Sequence, residues 1–394
     1  MELIETVATS RWYYRLSCFI LFYLAAAASF NGSIDKWHLD DIQFGSTHGT
    51  GSLESAIDGT GGRPFVYRQL LPTLANQIDR RIPEAAKDRL FNLKRRNGLL
   101  FRERFIDSPI AQDRTYFLRY WIVFVAVFLF SWISVYAMYL VGQAMGFLPS
   151  AAAIAAIAMI LLMPYIQDGA GHYYDYPELA FLMLAIWMAI KFDWWWMIPL
   201  VALATYNKES FLLFTPTLYP FLRQRTSRIH ALAGIGVLGL TAAAVNFLLH
   251  LQFSHNPGAS IEFHLMDQIR SLPALYDPRY MNLVKTYDLW MPRTENLLSL
   301  TFIAWTVLRI WRLLPKPIQR HMQIAAVISF PLYFMFCIPF EVRDLSFLYG
   351  SLLALIAANL TYWIHEAPRS EASARVLVSK IDVMAAAPNE MPPI

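Results

Sequence analysis

The sequence predicts an all-α membrane protein, a polytopic bundle of about ten transmembrane helices. Hydrophobic residues make up 56% of the 394 residues and charged residues only 16%, whereas a soluble domain has roughly 25% charged residues. Apolar runs close to the roughly 20 residues of a spanning helix recur along the chain rather than once at a terminus. These runs have the length of membrane helices. The strands of an outer-membrane barrel differ, since they are about ten residues long and alternate in polarity.

Ten apolar segments are predicted to cross the membrane. They lie near residues 16–30, 117–141, 151–166, 177–192, 194–207, 209–222, 229–250, 296–313, 323–339 and 344–364. The stretch 194–222 is long for one helix and short for two, and the polar sequence "YNKESF" lies in its middle. Two helices are favoured because the basic connectors at 223–228 and 309–321 then share a side with Arg11 and Arg15. A single helix would place both connectors outside.

This topology divides the chain into a membrane domain, residues 1–364, and a tail, residues 365–394, predicted to be a disordered cytoplasmic end. The outer segments are 31–115, 167–176, the turn at Asn207 to Ser210, 251–295 and the turn from Glu341 to Asp344. The first of these, 31–115, contains a basic run, and loops longer than about 60 residues are largely exempt from the charge rule. Its sequence "FVYRQLLPTLANQIDRRI" predicts an interfacial helix, since apolar residues recur at helical spacing.

Charge and cysteine content exclude some classes of protein. The net charge of +4 is mild and the basic residues cluster in loops, so they indicate topology and not a nucleic-acid partner. Cys18 and Cys337 lie in apolar runs near opposite membrane faces, so no disulfide is expected between them. The first apolar stretch ends in "AAAAS" and is interpreted as a retained anchor, with a cleaved signal peptide as the alternative.

An acid pair, Asp40 and Asp41, follows the first span in the sequence "DKWHLDDIQFGS". Glycosyl transfer from a lipid phosphate needs a carboxylate that takes the proton from the acceptor hydroxyl, whereas the phosphate leaves as a stable anion. The pair is therefore a candidate general base, and His38 beside it is a candidate substrate contact. The alternative is that the two aspartates cap a short helix beginning at Ile42.

A second polar site lies in "GAGHYYDYPELAF", residues 169–181. Pro177 and Glu178 fit the chemistry of an ordinary helix start. That explanation does not cover the neighbouring His172, Tyr174 and Asp175, whose side chains suit hydrogen bonding and stacking against a sugar, or binding a phosphate. We therefore predict that these four residues, Glu178 included, contact substrate.

Two further sites carry charge at the ends of spans. In "TYNKESF", Lys208 and Glu209 lie between two short apolar segments, where ionisable groups usually face a partner or a water-filled cavity. Lys208 is predicted to neutralise a lipid phosphate; an exposed turn at the interface is the alternative. In "PFEVRDLSF", Arg343 offers a planar fork for phosphate beside Glu341. An ion pair that only fixes this loop is the alternative.

Arg68 is a weaker candidate for substrate binding. It lies in "GRPFVYRQLLP" before or on the predicted surface helix. Arginines in such positions more often extend their charge to lipid headgroups.

Taken in order, these motifs resemble the GT-C superfamily of multi-pass glycosyltransferases, and more narrowly its bacterial inner-membrane members. The likeness runs from about residue 16 to 364. It implies a polyprenyl-phosphate-linked sugar as donor and inverting transfer on the periplasmic side. Carried over by position, it assigns Asp40 or Asp41 as base, Lys208 and Arg343 as donor-phosphate contacts, and Asp175 and Glu178 as cavity lining.

The chain departs from the resemblance in its long, basic first loop and in lacking a large soluble C-terminal domain like that of oligosaccharyltransferases. A glycan, lipid or small molecule is therefore expected as acceptor, and membrane lipid as surroundings. The rival interpretations are a transporter or flippase of lipid-linked sugars, or a noncatalytic subunit with partners in an envelope-glycan assembly. No cofactor is predicted, and no metal, because adjacent carboxylates and distant histidines give no recognisable ligand spacing.

Overall fold

The computed structural model describes residues 2–39, 52–96, 108–167, 170–259, 261–275 and 283–364. The predicted acid pair, Asp40 and Asp41, and the predicted tail, 365–394, lie outside the described residues.

The first half of the chain is helical wherever it is regular among the described residues. Its helices are α1 (Glu2–Trp37), α2 (Leu53–Asp58), α3 (Leu70–Asp79), α4 (Glu84–Arg96), α5 (Pro109–Gln112), α6 (Phe117–Ala144), α7 (Pro149–Ile166) and α8 (Asp175–Lys191). A 3-10 turn, Phe65–Tyr67, precedes α3, and another, Trp194–Met197, follows α8.

The second half adds one small sheet to the helices. It contains α9 (Ile198–Asn207), α10 (Phe211–Phe214), α11 (Tyr219–Arg225), α12 (Arg228–Gln252), α13 (Leu265–Ser271), α14 (Leu297–Ile310) and α15 (Lys316–Phe336). The final helix, α16, covers Val342–Ile364 and begins as a 3-10 helix, Val342–Leu348. Short 3-10 segments are Thr215–Leu218, Leu272–Leu275 and Trp311–Leu313. Strands β1 (Leu283–Thr286) and β2 (Leu289–Pro292) pair as an antiparallel hairpin.

Five of these helices are long and apolar enough to cross a membrane. They are Trp12–Trp37 of α1, α6, α7, α12 and α16. The chain is therefore an all-α membrane protein. The other five predicted segments are also helical, in α8, α9, 211–225, α14 and α15, but each is shorter or less apolar than these five.

Helix α6 packs against α1, α7 and α8, and small residues permit one of these contacts. A Cβ atom added at Gly142 of α6 would lie 2.8 Å from the Cβ of Ala152 in α7. Membrane helices use such small residues for close approach, because packing contacts replace the hydrophobic effect between helices there.

The stretch 194–222 is two antiparallel segments that reverse at Lys208, as the charge distribution indicated. Lys208 is extended, with φ −152° and ψ 123°, and ends α9. Helix α12 lies alongside both segments. A Cβ atom added at Gly234 of α12 would lie 2.7 Å from Trp194. Near the other end of α12, Asn246 bonds Glu209. Between these two positions, Gly239 faces Thr215. As the chain runs from 194 to 215, its contact position on α12 moves from Gly234 to Asn246 and then back to Gly239. Lys208 therefore occupies the apex of a hairpin.

The predicted interfacial helix is a 3-10 turn followed by α3, docked on the bundle. Leu71 and Ala75 are buried, whereas Leu74 is exposed, so the helix is amphipathic. Its preceding residue, Gln69, donates its backbone N–H to the carbonyl oxygen of Tyr206 over 3.1 Å. The first outer loop therefore lies at the same end of the bundle as Lys208.

The β-hairpin lies against the groove between α1 and α7. The hydroxyl of Tyr287 donates to the carbonyl oxygen of Leu161, 2.9 Å away. A Cβ added at Gly32 would lie 2.7 Å from the Tyr287 ring, so glycine permits this approach.

The loops near α7, α9 and α16 that were predicted to be outer gather at one end of the bundle.

Candidate functional site

Eight ionisable side chains from distant parts of the sequence meet at this end of the bundle; we call them the ion-pair cluster. They are Arg68, Asp175, Glu178, Lys208, Glu209, Glu341, Arg343 and Asp344. Three are basic and five are acidic. The first outer loop, the start of α8, the apex after α9 and the start of α16 each contribute.

Lys208 is held tightly between two carboxylates. Its Nζ lies 2.9 Å from Oε2 of Glu178 and 3.2 Å from Oδ1 of Asp344. Glu178 also accepts a hydrogen bond of 2.7 Å from Ser346. Burial lowers the pKa of Lys208, but these two carboxylates outweigh it and raise the pKa above its ordinary value. Lys208 is therefore a fully charged, well-paired group.

Arg343 is buried but loosely paired. Its Nη1 lies 3.2 Å from Asp175, its Nη2 3.4 Å from Glu341, and Asp344 is 4.0 Å away. Close bonds between ionised groups measure about 2.7–2.9 Å. The Nε of Arg343 has no hydrogen-bond partner among the described residues. This guanidinium group therefore has unused donor capacity.

Arg68 has the same unused capacity. Its Nη1 donates to the hydroxyl of Tyr174, and its Nη2 lies 3.4 Å from Glu209. Within the described part of the chain, its Nε lacks a partner. The guanidinium carbon lies 4.2 Å from the ring centre of Tyr174 and 5.0 Å from that of Phe65. Two aromatic faces therefore fix its position by cation–π contact.

Tyr174 is the centre of the cluster. Its ring also lies 6.0 Å from the guanidinium carbon of Arg343 and 5.8 Å from the Nζ of Lys208. His172 stacks on it at 4.8 Å. Burial lowers the pKa of His172 well below its usual value, and the charges of Arg343 and Arg68 lower it further. His172 is therefore neutral here and adds no further positive charge.

The charge of Glu341 responds to ordinary changes in pH. The residue lies in the turn between α15 and α16 and is mostly buried. Burial raises its pKa to about 7, while the nearby Arg343 acts in the opposite direction. Protonation of Glu341 would weaken its attraction for Arg343, since only the carboxylate form carries a charge.

Gln167 joins the end of α1 to the cluster. Its side chain accepts a 2.6 Å bond from Ser33 and donates a 2.8 Å bond to Asp175. Its backbone carbonyl oxygen accepts a 2.8 Å bond from Trp37. Asp175 also receives the backbone N–H of His172 at 2.9 Å. The last turn of α1 is thus connected through one amide to the carboxylate that pairs with Arg343.

A narrow cleft lies between the end of α1 and the turn before α8, with about 240 Å³ of space that is partly open to solvent. Its lining combines aromatic and aliphatic side chains with polar groups. They are Phe30, Ser33, Ile34, Trp37, Leu39, Val127, Gln167, Gly171, His172 and Tyr176. The predicted base residues, Asp40 and Asp41, follow directly after Leu39 in the sequence.

Most of the residues predicted as substrate contacts are brought together. They are Arg68, His172, Tyr174, Asp175, Glu178, Lys208, Glu209, Glu341 and Arg343. His38 lies at the end of α1, where its carbonyl oxygen accepts a bond from Tyr120. Sequence reasoning missed Gln167 and Asn246, and treated Asp344 only as part of a loop ion pair.

Among the described residues, no group of three or more histidine, cysteine, aspartate or glutamate side chains is placed to hold a metal ion. No family model, no curated protein and no solved structure matches the chain.

Proposed function

We propose that this protein is a GT-C-like membrane glycosyltransferase. It transfers a sugar from a polyprenyl-phosphate donor to a glycan, lipid or small acceptor, with inversion at the anomeric carbon. In this proposal all ten helical segments cross a bacterial inner membrane, and the ion-pair cluster faces the periplasm. The tail, residues 365–394, is then cytoplasmic.

The observation that carries the proposal is the pair of arginines on Tyr174. Arg68 and Arg343 are both buried, both lie against the same ring, and each keeps an Nε without a partner among the described residues. Buried polar groups are nearly always hydrogen-bonded, so unused donors of this kind call for a ligand. Arginine forks match the oxygens of a phosphate group. An anion between the two arginines would satisfy both.

The geometry refines the roles expected from the resemblance. Lys208 has two close carboxylate partners, whereas Arg68 and Arg343 are loosely held. We therefore assign phosphate binding to the two arginines. Lys208 instead offsets part of the negative charge of Glu178 and Asp344, which reduces the repulsion between these two acids and the phosphate.

The chemistry needs a base close to the acceptor hydroxyl. In the proposal Asp40 or Asp41 takes the proton from that hydroxyl as its oxygen attacks the anomeric carbon. The bond between that carbon and the phosphate oxygen breaks on the opposite face, which inverts the configuration. Arg68 and Arg343 stabilise the negative charge that develops on the leaving phosphate.

The second candidate is a transporter or flippase of lipid-linked sugars, which would bind the same groups without chemistry. The charged residues buried at the hairpin apex, Lys208 among them, would suit it as well, because transporters also bind substrate through charged groups within the membrane protein. A noncatalytic subunit of an envelope-glycan assembly is the third. In that case the acids would matter for copurification of partners and not for transfer.

Transfer assays on the reconstituted protein separate these functions. Proteoliposomes containing radiolabelled polyprenyl-phosphate sugars and an envelope lipid extract would be scored for label leaving the donor. Asp40→Ala or Asp41→Ala should abolish transfer, whereas Asp35→Ala, an exposed acid one turn earlier on α1, should not. Movement of intact donor across the bilayer without transfer would identify a flippase. Retained transfer in both aspartate variants would rule out this base.

A topology measurement gives an independent check. Cysteine introduced at residue 41, with Cys18 and Cys337 replaced by serine, should react with a membrane-impermeant thiol reagent added from the periplasmic side. Labelling only from the cytoplasmic side would contradict the proposed orientation.

A further inference from the structure

Asn246 places a second set of unpaired polar atoms beside Arg68. This residue lies on α12, and its Nδ2 donates a 3.2 Å bond to the backbone carbonyl oxygen of Glu209 at the hairpin apex. Glu209 in turn lies 3.4 Å from Nη2 of Arg68. The three residues therefore form a continuous polar line that leads away from Tyr174.

Two acceptor atoms along this line are unused. Oε2 of Glu209 and Oδ1 of Asn246 are buried, and neither has a hydrogen-bond partner within the described ranges. Leaving a buried acceptor unsatisfied is energetically unfavourable. The two atoms belong to one contact network, because Asn246 bonds the backbone of Glu209 and Glu209 pairs with Arg68. They therefore indicate a ligand group and not two separate packing faults.

The chemistry of these atoms defines what they can bind. A carboxylate oxygen and an amide oxygen accept hydrogen bonds, so the ligand must supply donors. A phosphate diester supplies none, and it would be repelled by Glu209. Hydroxyl groups are neutral donors that suit both atoms. In a lipid-phosphate sugar, a single oxygen joins the phosphorus to the sugar ring. A site for sugar hydroxyl groups is therefore expected directly beside a phosphate-binding arginine.

We infer that Glu209 and Asn246 form a subsite for the hydroxyl groups of a sugar ring, adjacent to the phosphate-binding Arg68. This inference rests on the proposed function and adds which residues recognise the sugar. Asn246 is a specificity-determining residue in it, because its amide oxygen can contribute only to recognition of a donor group.

Two matched probes test the subsite. Octyl glucosyl phosphate and methyl octyl phosphate are both singly charged phosphodiesters with the same alkyl chain, and only the first carries a sugar. Their affinities for the full-length protein in nanodiscs would be measured by calorimetry. The sugar probe should bind wild type more tightly. Asn246→Leu should reduce its affinity about fivefold, the equivalent of one neutral hydrogen bond, and leave the sugar-free probe unchanged.

Controls keep the outcomes distinct. Asn359→Leu, which removes a half-buried asparagine of α16 that bonds only its own helix among the described contacts, should alter neither affinity. Equal binding of both probes by wild type would overturn the subsite, as would an equal loss for both in Asn246→Leu. If neither phosphodiester binds, the proposed function fails. The subsite is then judged with octyl glucoside alone, whose binding must depend on Asn246.

A variant that fails to fold is recognised by its thermal unfolding in detergent. In that case Asn246→Asp, which keeps the side-chain acceptor oxygen but loses the Nδ2 donor to Glu209, replaces Asn246→Leu. It should preserve the preference for the sugar probe, and loss of that preference in a folded protein would contradict the inference.

Discussion

Gln167 donates a hydrogen bond of 2.8 Å to Asp175, and the pair links two parts of the site. On one side, Gln167 holds Ser33 and Trp37 in the last turn of α1. On the other, Asp175 pairs with Arg343. Gln167 therefore connects the end of α1 to the proposed phosphate-binding Arg343.

Replacing Gln167 with leucine should destabilise the protein. The change removes one hydrogen bond from the buried Asp175, whose oxygen keeps the backbone N–H of His172, and one from the hydroxyl of Ser33, which keeps Tyr176. Each lost bond is worth about 1 kcal/mol. Thermal unfolding in detergent measures the loss. Gln143→Leu is the control, because Gln143 is exposed and bonds only Tyr139 among the described contacts. An unchanged unfolding temperature in Gln167→Leu would show that the amide is not needed for stability.

Lys208→Met should be strongly destabilising. It leaves the buried Glu178 and the half-buried Asp344 without their shared cation, and breaking a buried ion pair costs about 3–5 kcal/mol. Adding Glu178→Gln to this variant should restore part of the stability, because one unpaired negative charge is removed. Lys285→Met provides the control, since Lys285 and its partner Asp288 are exposed. No recovery in the double variant would argue against charge as the cause.

Binding of a phosphodiester should strengthen as the pH falls through about 7, because Glu341 competes with the ligand for Arg343 only in its charged form. Methyl octyl phosphate is a suitable probe, since it keeps a single charge across this range. Glu341→Gln should bind it tightly at every pH. An unchanged pH profile in Glu341→Gln would exclude Glu341 as the competing group.

The same protonation has a predictable effect on stability. The pKa of Glu341 is raised in the folded protein, so the folded form holds its proton at a higher pH than the unfolded form. The free energy of unfolding that protonated Glu341 contributes is therefore fully present below the ordinary glutamate pKa and is lost as the pH rises through about 7. Wild type should lose more stability than Glu341→Gln over that interval, as measured by unfolding at a series of pH values.

Gly171→Ala should disturb the cleft. An added Cβ would lie 2.3 Å from the ring of Trp37, so the indole must move and its bond to Gln167 must weaken. A lower unfolding temperature and altered Trp37 fluorescence should follow. Gly236→Ala on α12 is a matched control, because a Cβ there meets nothing within 4 Å and alanine favours helix. Equal effects of the two substitutions would show that the contact is unimportant.

The sequence was informative about the site where placing a residue in the membrane costs much free energy. Ionised residues at membrane depth are expensive, so Lys208 and Arg343 could be selected from the chain without knowledge of their partners. The break at Lys208 followed from span length and the distribution of basic connectors. Both deductions depend on properties local to a segment, and the structure has the helix end and the ion pairs at those positions.

Other parts of the site depend on which segments meet in space. Gln167 ends an apolar run and Asn246 lies within another, and nothing in either run marks the residue as special. Their significance comes from Asp175 and from Glu209, which reach them through helix packing. Arg68 was only a weaker candidate for substrate binding for the same reason, since its pairing with Tyr174 spans 106 positions.

The spacing of the ion-pair cluster along the chain has a consequence for biogenesis. Asp175 enters the membrane environment early in synthesis, but its partner Arg343 emerges only after a further 168 positions have been translated. Until then a carboxylate near the bilayer lacks its counterion. Truncation anywhere before the last span therefore leaves Asp175 without its guanidinium partner.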